Sequence, residues 1–189
     1  MPEFPASTPA APAAGIATGV AVAAGTMPRI VRDPLTGPEI AALLREHLEQ
    51  MRRISPPESV HALDLARLRA PGIAFWSAWD GDRLLGCAAL RELDPVHGEV
   101  KSMRTVPAAR RRGVAAALLD TVVAEARRRG YRRLSLETGS QPEFAPARAL
   151  YARFGFTPCG PFGDYRPDPC STFMTRALDG AHECDEATR

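Results

Sequence analysis

Three consecutive arginines and a glycine, Arg110-Arg111-Arg112-Gly113, stand directly before an amphipathic stretch that begins Val114-Ala115. The first N–H groups of a helix have no intrahelical partner, and the helix dipole adds partial positive charge there. A glycine lets the backbone come close to a ligand, and arginines offer paired contacts to phosphate oxygens. The combination suits a pyrophosphate. An arginine run at a helix end is also a common solvated face, so the loop alone leaves both readings open. The chain carries a net charge of +2, yet residues 101–133 hold ten basic and two acidic residues, so the positive field is local. Of the 24 basic residues 23 are Arg in an Ala-rich chain, as a GC-rich genome would give, so the choice of Arg over Lys carries little chemical meaning.

The elements that must position this loop follow from periodicity. Val114, Leu118, Val122 and Ala126 recur at i, i+4 with Leu119 and Val123 beside them, which predicts a helix from Val114 to Arg129 capped by Gly130. Glu99 to Val106 reads as the strand before it, stopped by Pro107, and Arg132 to Glu137 as the strand after it. Upstream, Arg29 to Arg32 is a short strand, and Pro38 opens a helix carrying Ile40, Leu43, Leu44, His47, Leu48 and Met51 at helical spacing. Pro56-Pro57 breaks it, and Glu58 to Leu68 reads as a second helix. Ile73 to Trp79 and Leu84 to Leu90 are strand-like and joined through Asp80-Gly81, a hairpin signal. Pro146 to Phe154 predicts a short helix ended by Gly155, and Phe156 to Cys159 and Thr172 to Leu178 close the domain around a Pro/Gly-rich loop. The order β-α-α-β-β-β-α-β-α-β-β predicts one α/β domain with a mixed sheet.

The length supports a single core. Residues 1–26, largely Ala, Pro, Gly and Thr, lack core-forming side chains and the basic start of a signal peptide. They are expected to be a disordered tail, with the domain over 27–180 and a flexible tail over 181–189. No apolar run reaches the roughly 18 to 20 residues of a membrane-spanning helix. Cys87, Cys159, Cys170 and Cys184 show no C-x-x-C pair and no Cys/His ligand spacing. They are expected as reduced thiols of a cytoplasmic protein that binds no metal. The arginine-rich segment has neither the interleaved aromatics of single-strand binders nor a recognition-helix pattern, so no nucleic-acid partner is expected.

Arg110 to Ala115 resembles the acetyl-CoA signature of the GNAT superfamily of N-acetyltransferases, R-x-x-G-x-A after a strand. The resemblance extends to Met103-Arg104-Thr105 and to Ala149-Leu150-Tyr151-Ala152-Arg153-Phe154-Gly155-Phe156, similar to the family's A-L-Y-x-x-x-G-F pattern, and covers about Arg29 to Leu178. Ser55-Pro56-Pro57-Glu58-Ser59 and Pro161-Phe162-Gly163-Asp164-Tyr165 resemble a bacterial subgroup. The family fold implied is a mixed, mostly antiparallel sheet of about six to seven strands flanked by helices, with a splay between strands 4 and 5.

The resemblance implies that the backbone of Met103, Arg104 and Thr105 pairs with the pantetheine arm of acetyl-CoA, and that Arg110, Arg111, Arg112, Gly113, Val114 and Ala115 cradle its pyrophosphate. A backbone N–H near Arg104 or Thr105 would stabilise the oxyanion. Tyr151, a phenol of pKa near 10, would protonate the departing thiolate; packed between Ala147 and Phe154, it is otherwise a core aromatic. Glu99 lies eleven residues before Arg110, the spacing of the general-base glutamate in histone-acetylating relatives; otherwise it is an exposed strand charge paired to Lys101. Glu137, His61 and Glu58 are candidates for the acceptor pocket, and Asp164 and Tyr165 for a loop that closes over substrate. Arg104 is a candidate for an amino-acid carboxylate. The implied acceptor is an amine of a small molecule or peptide, with a homodimer as the common assembly. The alternative is a non-catalytic module that binds acyl-CoA as a signal.

Overall fold

Two of the predicted strands are apolar on both faces, and a strand buried on both faces needs cover on both. A computed structural model describes residues 27–59 and 61–178, the side chain of Glu58 excepted. The expected tails over 1–26 and 181–189 lie outside those residues, as does the Glu58 side chain. In β2 (Ile73–Asp80) and β3 (Arg83–Asp94) alternate residues serve two cores. Phe75, Cys87 and Ala89 pack with Ile40, Leu43 and Leu44 of helix α1 (Pro38–Ile54) and with Leu68 of the short helix α2 (Leu65–Leu68). Ala74, Trp76, Ala88 and Leu90 pack on the other side with Leu118, Leu119 and Val122 of α3 (Val114–Arg128).

Seven strands complete the sheet: β1 (Arg29–Arg32), β4 (His97–Thr105), β5 (Arg133–Gly139), β6 (Thr157–Pro158) and β7 (Ser171–Ala177) join β2 and β3 in the order β1-β2-β3-β4-β5-β7-β6. Helix α4 (Ala145–Arg153) lies between β5 and β6 in the chain. Every neighbouring pair is antiparallel except β4 and β5, which run parallel. No helix among the described residues is long and apolar enough to cross a membrane.

Two features of β4 make the site. It pairs with β5 only from His97 to Val100, against Arg133 to Leu136. Beyond Val100 it stays with β3, while Glu137 to Gly139 continue on β7, so the two parallel strands part. At that point the register against β3 passes from Ala89↔Lys101 to Cys87↔Arg104, which puts an extra residue on β4. Ser102 takes it up with φ 51, and its buried hydroxyl has no hydrogen-bond partner. Just past the bulge a Cβ on Gly86 would collide with the Arg104 carbonyl oxygen, so β3 must be glycine there.

The expected second helix over Glu58–Leu68 is not formed. A 3₁₀ turn covers Pro57–Ser59, residues 61–64 form no regular element, and helix resumes only at Leu65, where the Asp64 side chain accepts the Arg67 N–H. Asp64 is a better N-cap than a mid-helix residue, and its side chain competes for the backbone there. β3 and β4 run further than periodicity indicates, to Asp94 and from His97, and form a second hairpin. The strand expected at Phe156–Cys159 shrinks to Thr157–Pro158.

Candidate functional site

Helix α3 begins at an uncapped, open N-terminus. Gly113 is its N-cap, with φ 79 in the left-handed region and no side-chain cap, and the first helical bond runs from the Ala117 N–H to the Gly113 carbonyl. The N–H groups of Val114, Ala115 and Ala116 therefore have no intrahelical acceptor, and the first turn holds no acidic residue. A Cβ on Gly113 would meet no protein atom within 4 Å; what demands glycine is the positive φ and the free side facing outward. Arg111 also has a positive φ, 61. Arg112 reaches Asp80 at 3.4 Å, whereas the side chains of Arg110 and Arg111 make no hydrogen bond or ion pair among the described residues.

Where β4 and β5 part there is a narrow cleft of about 120 Å³, with Lys101, Met103, Glu137 and Tyr151 in its wall together with His47 from α1. Ser59, His61 and Cys170 belong both to this cleft and to a larger hollow of about 590 Å³, bounded also by Pro56 and the loop from Asp164 to Cys170.

The carboxylates around the cleft have ion-pair partners except Glu137, and Glu99 Oε2 is buried without a hydrogen bond. Glu99 is fully buried rather than exposed, because β4 is an interior strand there. Its Oε1 accepts the Tyr165 hydroxyl at 2.6 Å and lies 3.3 Å from Lys101 Nζ, while Oε2 lies 3.5 Å from Arg91. Lys101 Nζ also donates to the Tyr165 oxygen at 2.6 Å and to the His61 carbonyl at 3.1 Å. Burial, and then the Glu99 charge, hold the proton on Tyr165. Glu137 accepts the Ser171 hydroxyl at 2.7 Å, and burial pushes its carboxyl above the usual range although Ser171, Lys101 and His61 oppose this. Burial, and then Glu137, raise the Tyr151 phenol, so it stays protonated across the working pH range. The His61 ring stands edge-on to Tyr165 with centroids 5.0 Å apart, and its Nε2 is 3.9 Å from Asp168. Burial, aided by Arg104, depresses His47 to about 4.

The structure thus gathers Tyr151, Glu137, Met103 and His61 at one cleft, with Tyr165 in the adjoining hollow. Glu99 stands behind them, joined through Tyr165 and Lys101. Arg104 turns its guanidinium to Glu46 at 3.5 Å and is absent from the cleft wall, and Asp164 is fully exposed with Arg91 at 3.9 Å. Sequence reasoning treated Lys101 only as a partner of Glu99 and missed Ser171. A signal for Lys101 was present: it is the single lysine among 24 basic residues. Cys87, Cys159 and Cys170 are free thiols.

Comparison with known proteins agrees with this architecture. Residues 40–156 match the model of the acetyltransferase (GNAT) family. The chain is 58% identical over 146 residues to the uncharacterized N-acetyltransferase YsnE of Bacillus subtilis, covering 77% of this chain and 97% of that protein. It is 49% identical over 149 residues to the uncharacterized N-acetyltransferase YedL of Escherichia coli, covering 79% and 94%. The structure of yncA from Salmonella typhimurium, solved with its cofactor acetyl-CoA, superposes with a TM-score of 0.62 at 21% identity, covering 86% of this chain and all of that one.

Proposed function

Since this chain belongs to the acetyltransferase (GNAT) family and is an N-acetyltransferase, we propose that it passes an acetyl group from acetyl-CoA directly to a primary amine of a small molecule or peptide, both substrates being bound together. The observation that carries this reading is the parting of β4 from β5 after Val100 and Leu136, with Tyr151 and Glu137 in the gap.

The residues present fit the cofactor. Open N–H groups at Val114 to Ala116, a left-handed Gly113 and two unpaired arginines would hold a pyrophosphate. The parted edge of β4 at Met103, Arg104 and Thr105 would take the pantetheine arm as a further strand, and the bulge at Ser102 re-aims the backbone beside it. Acetyl-CoA supplies the activated acetyl thioester when bound.

The remaining chemistry is proton handling. Tyr151 keeps its proton at the phenol oxygen until a thiolate, of pKa about 8.5, needs it. The acceptor ammonium, of pKa near 10.4 for a lysine-like amine, must lose a proton before it attacks. Glu99 receives that proton through Tyr165: the phenol oxygen takes a proton from the amine side as its own passes to Glu99 Oε1 over 2.6 Å. Glu137 and His61 line the path of the amine. The test is calorimetric titration with acetyl-CoA followed by thiol release with a panel of amines. Absence of binding removes the proposal, and binding without thiol release from any amine leaves a non-catalytic acyl-CoA module.

A further inference from the structure

Glu137 differs from every other carboxylate around the cleft. Glu99 already faces Lys101 and Arg91, Asp164 faces Arg91, and Asp168 accepts the Cys170 N–H at 2.8 Å and lies 3.9 Å from His61. Glu137 has one neutral donor, Ser171, and no ion pair among the described residues, although it is partly buried in the cleft wall. A partly buried carboxylate with spare acceptor capacity gains most from a charged N–H donor, because charge-assisted hydrogen bonds are the strong ones.

The cation of the cleft is in the opposite state. An ammonium has three hydrogens, and Lys101 Nζ faces three acceptors: the Tyr165 oxygen, the His61 carbonyl and Glu99 Oε1. Two of its hydrogens are committed to hydrogen bonds and its charge is already paired with Glu99, so it is a poor partner for a substrate carboxylate, and Arg104 is turned away to Glu46. A carboxylate beside the acceptor amine would therefore be buried without a donor and close to Glu137, which is costly twice over. The space also divides. The narrow cleft takes the amine end, while the hollow of about 590 Å³, an ordinary size for a small-molecule site, offers Pro56, Pro167, Pro169 and the Tyr165 ring to the rest. Its one arginine, Arg166, is exposed and shares its loop with Asp164.

We infer that the acceptor is a primary monoamine with an apolar body and no carboxylate next to the amine, held through its ammonium by Glu137. This rests on the acetyltransferase reading above and narrows its substrate class.

The full chain with acetyl-CoA is assayed for thiol release and acetylated product with 2-phenylethylamine, L-phenylalanine, spermidine and a lysine-containing peptide. 2-Phenylethylamine is expected to exceed each of the others by tenfold or more in kcat/KM. In Glu137→Gln its KM rises at least tenfold, with acetyl-CoA affinity and Tm near those of the parent, while Glu137→Asp recovers part of the loss. Equal or better turnover of phenylalanine, spermidine or the peptide overturns the inference, as does an unchanged KM in a folded Glu137→Gln protein. If acetyl-CoA binds and is slowly hydrolysed but 2-phenylethylamine is not acetylated, the substrate class falls and the acetyltransferase reading stands. If acetyl-CoA does not bind, both fall.

Discussion

The Tyr165 hydroxyl lies 2.6 Å from Glu99 Oε1 and 2.6 Å from Lys101 Nζ, so one phenol on the loop before β7 joins two oppositely charged side chains of β4. Glu99 is fully buried and Lys101 nearly so. Neither charge could be left there without partners, and the phenol gives each a hydrogen bond that water cannot supply. The same contact fixes the loop that bounds the larger hollow.

Tyr165→Phe keeps the ring contacts with His61, Phe162 and Phe173 but removes that bridge. It should cost about 1–3 kcal/mol, the usual range for leaving buried polar groups unsatisfied, seen as a lower urea midpoint. If the phenol also relays the amine proton, kcat falls while acetyl-CoA affinity holds. Loss of stability with normal kcat would confine Tyr165 to structure.

At the anion loop, Gly113→Ala and Gly113→Asp separate conformation from charge. Neither side chain meets protein atoms at its Cβ, so the folding cost is the left-handed φ alone, about 1–2 kcal/mol. Gly113→Asp adds a negative charge beside Arg110 and Arg111 and should weaken acetyl-CoA binding at least tenfold, roughly 1.4 kcal/mol. Calorimetry showing parental affinity in a folded Gly113→Asp protein would remove the pyrophosphate assignment.

The open helix start after Gly113 was legible because its signals are local: a strand end, basic residues, a glycine and a helix start all lie within a short stretch, Thr105 to Val114. The sheet's alternation and the Val114 helix were legible for the same reason. What stayed hidden depends on which strands neighbour which. The burial of Glu99 follows from β4 lying between β3 and β5, and the Glu137–Ser171 bond from β5 pairing with β7, contacts 34 residues apart. The Glu58–Leu68 stretch misled because its leucines fit helical spacing, while Asp64, a strong N-cap, starts the helix late.

His47 gives the fold a pH dependence of known sign. Burial and Arg104 depress it from about 6.5 to about 4, and its Nδ1 is buried without a partner. As pH falls from 6.5, the unfolded chain takes up a proton that the folded protein resists until about 4, so the unfolded state binds more protons and stability drops with pH. The loss is on the order of 3 kcal/mol. His47→Gln should flatten the stability curve between pH 6.5 and 4 relative to the parent; parallel curves would mean that His47 titrates normally.

Tyr151 is where packing and chemistry must be told apart. Its ring is buried against the core and stands edge-on to Phe156 at 5.9 Å, so replacement by Ala would confuse lost packing with lost chemistry. Tyr151→Phe keeps the ring and removes only the hydroxyl. Burial, and then Glu137, raise the phenol, so its proton is present at neutral pH although the same rise makes it a weaker acid toward the departing thiolate. The variant should therefore retain its Tm and acetyl-CoA affinity, while kcat falls by about 10² or more, in the range of general-acid catalysis. A leaving group that needs no proton gives the internal control: with an acetyl thioester of a much more acidic thiol, parent and variant should converge. Near-normal kcat with acetyl-CoA in Tyr151→Phe, under single-turnover conditions where chemistry limits the rate, would return this residue to the core alone.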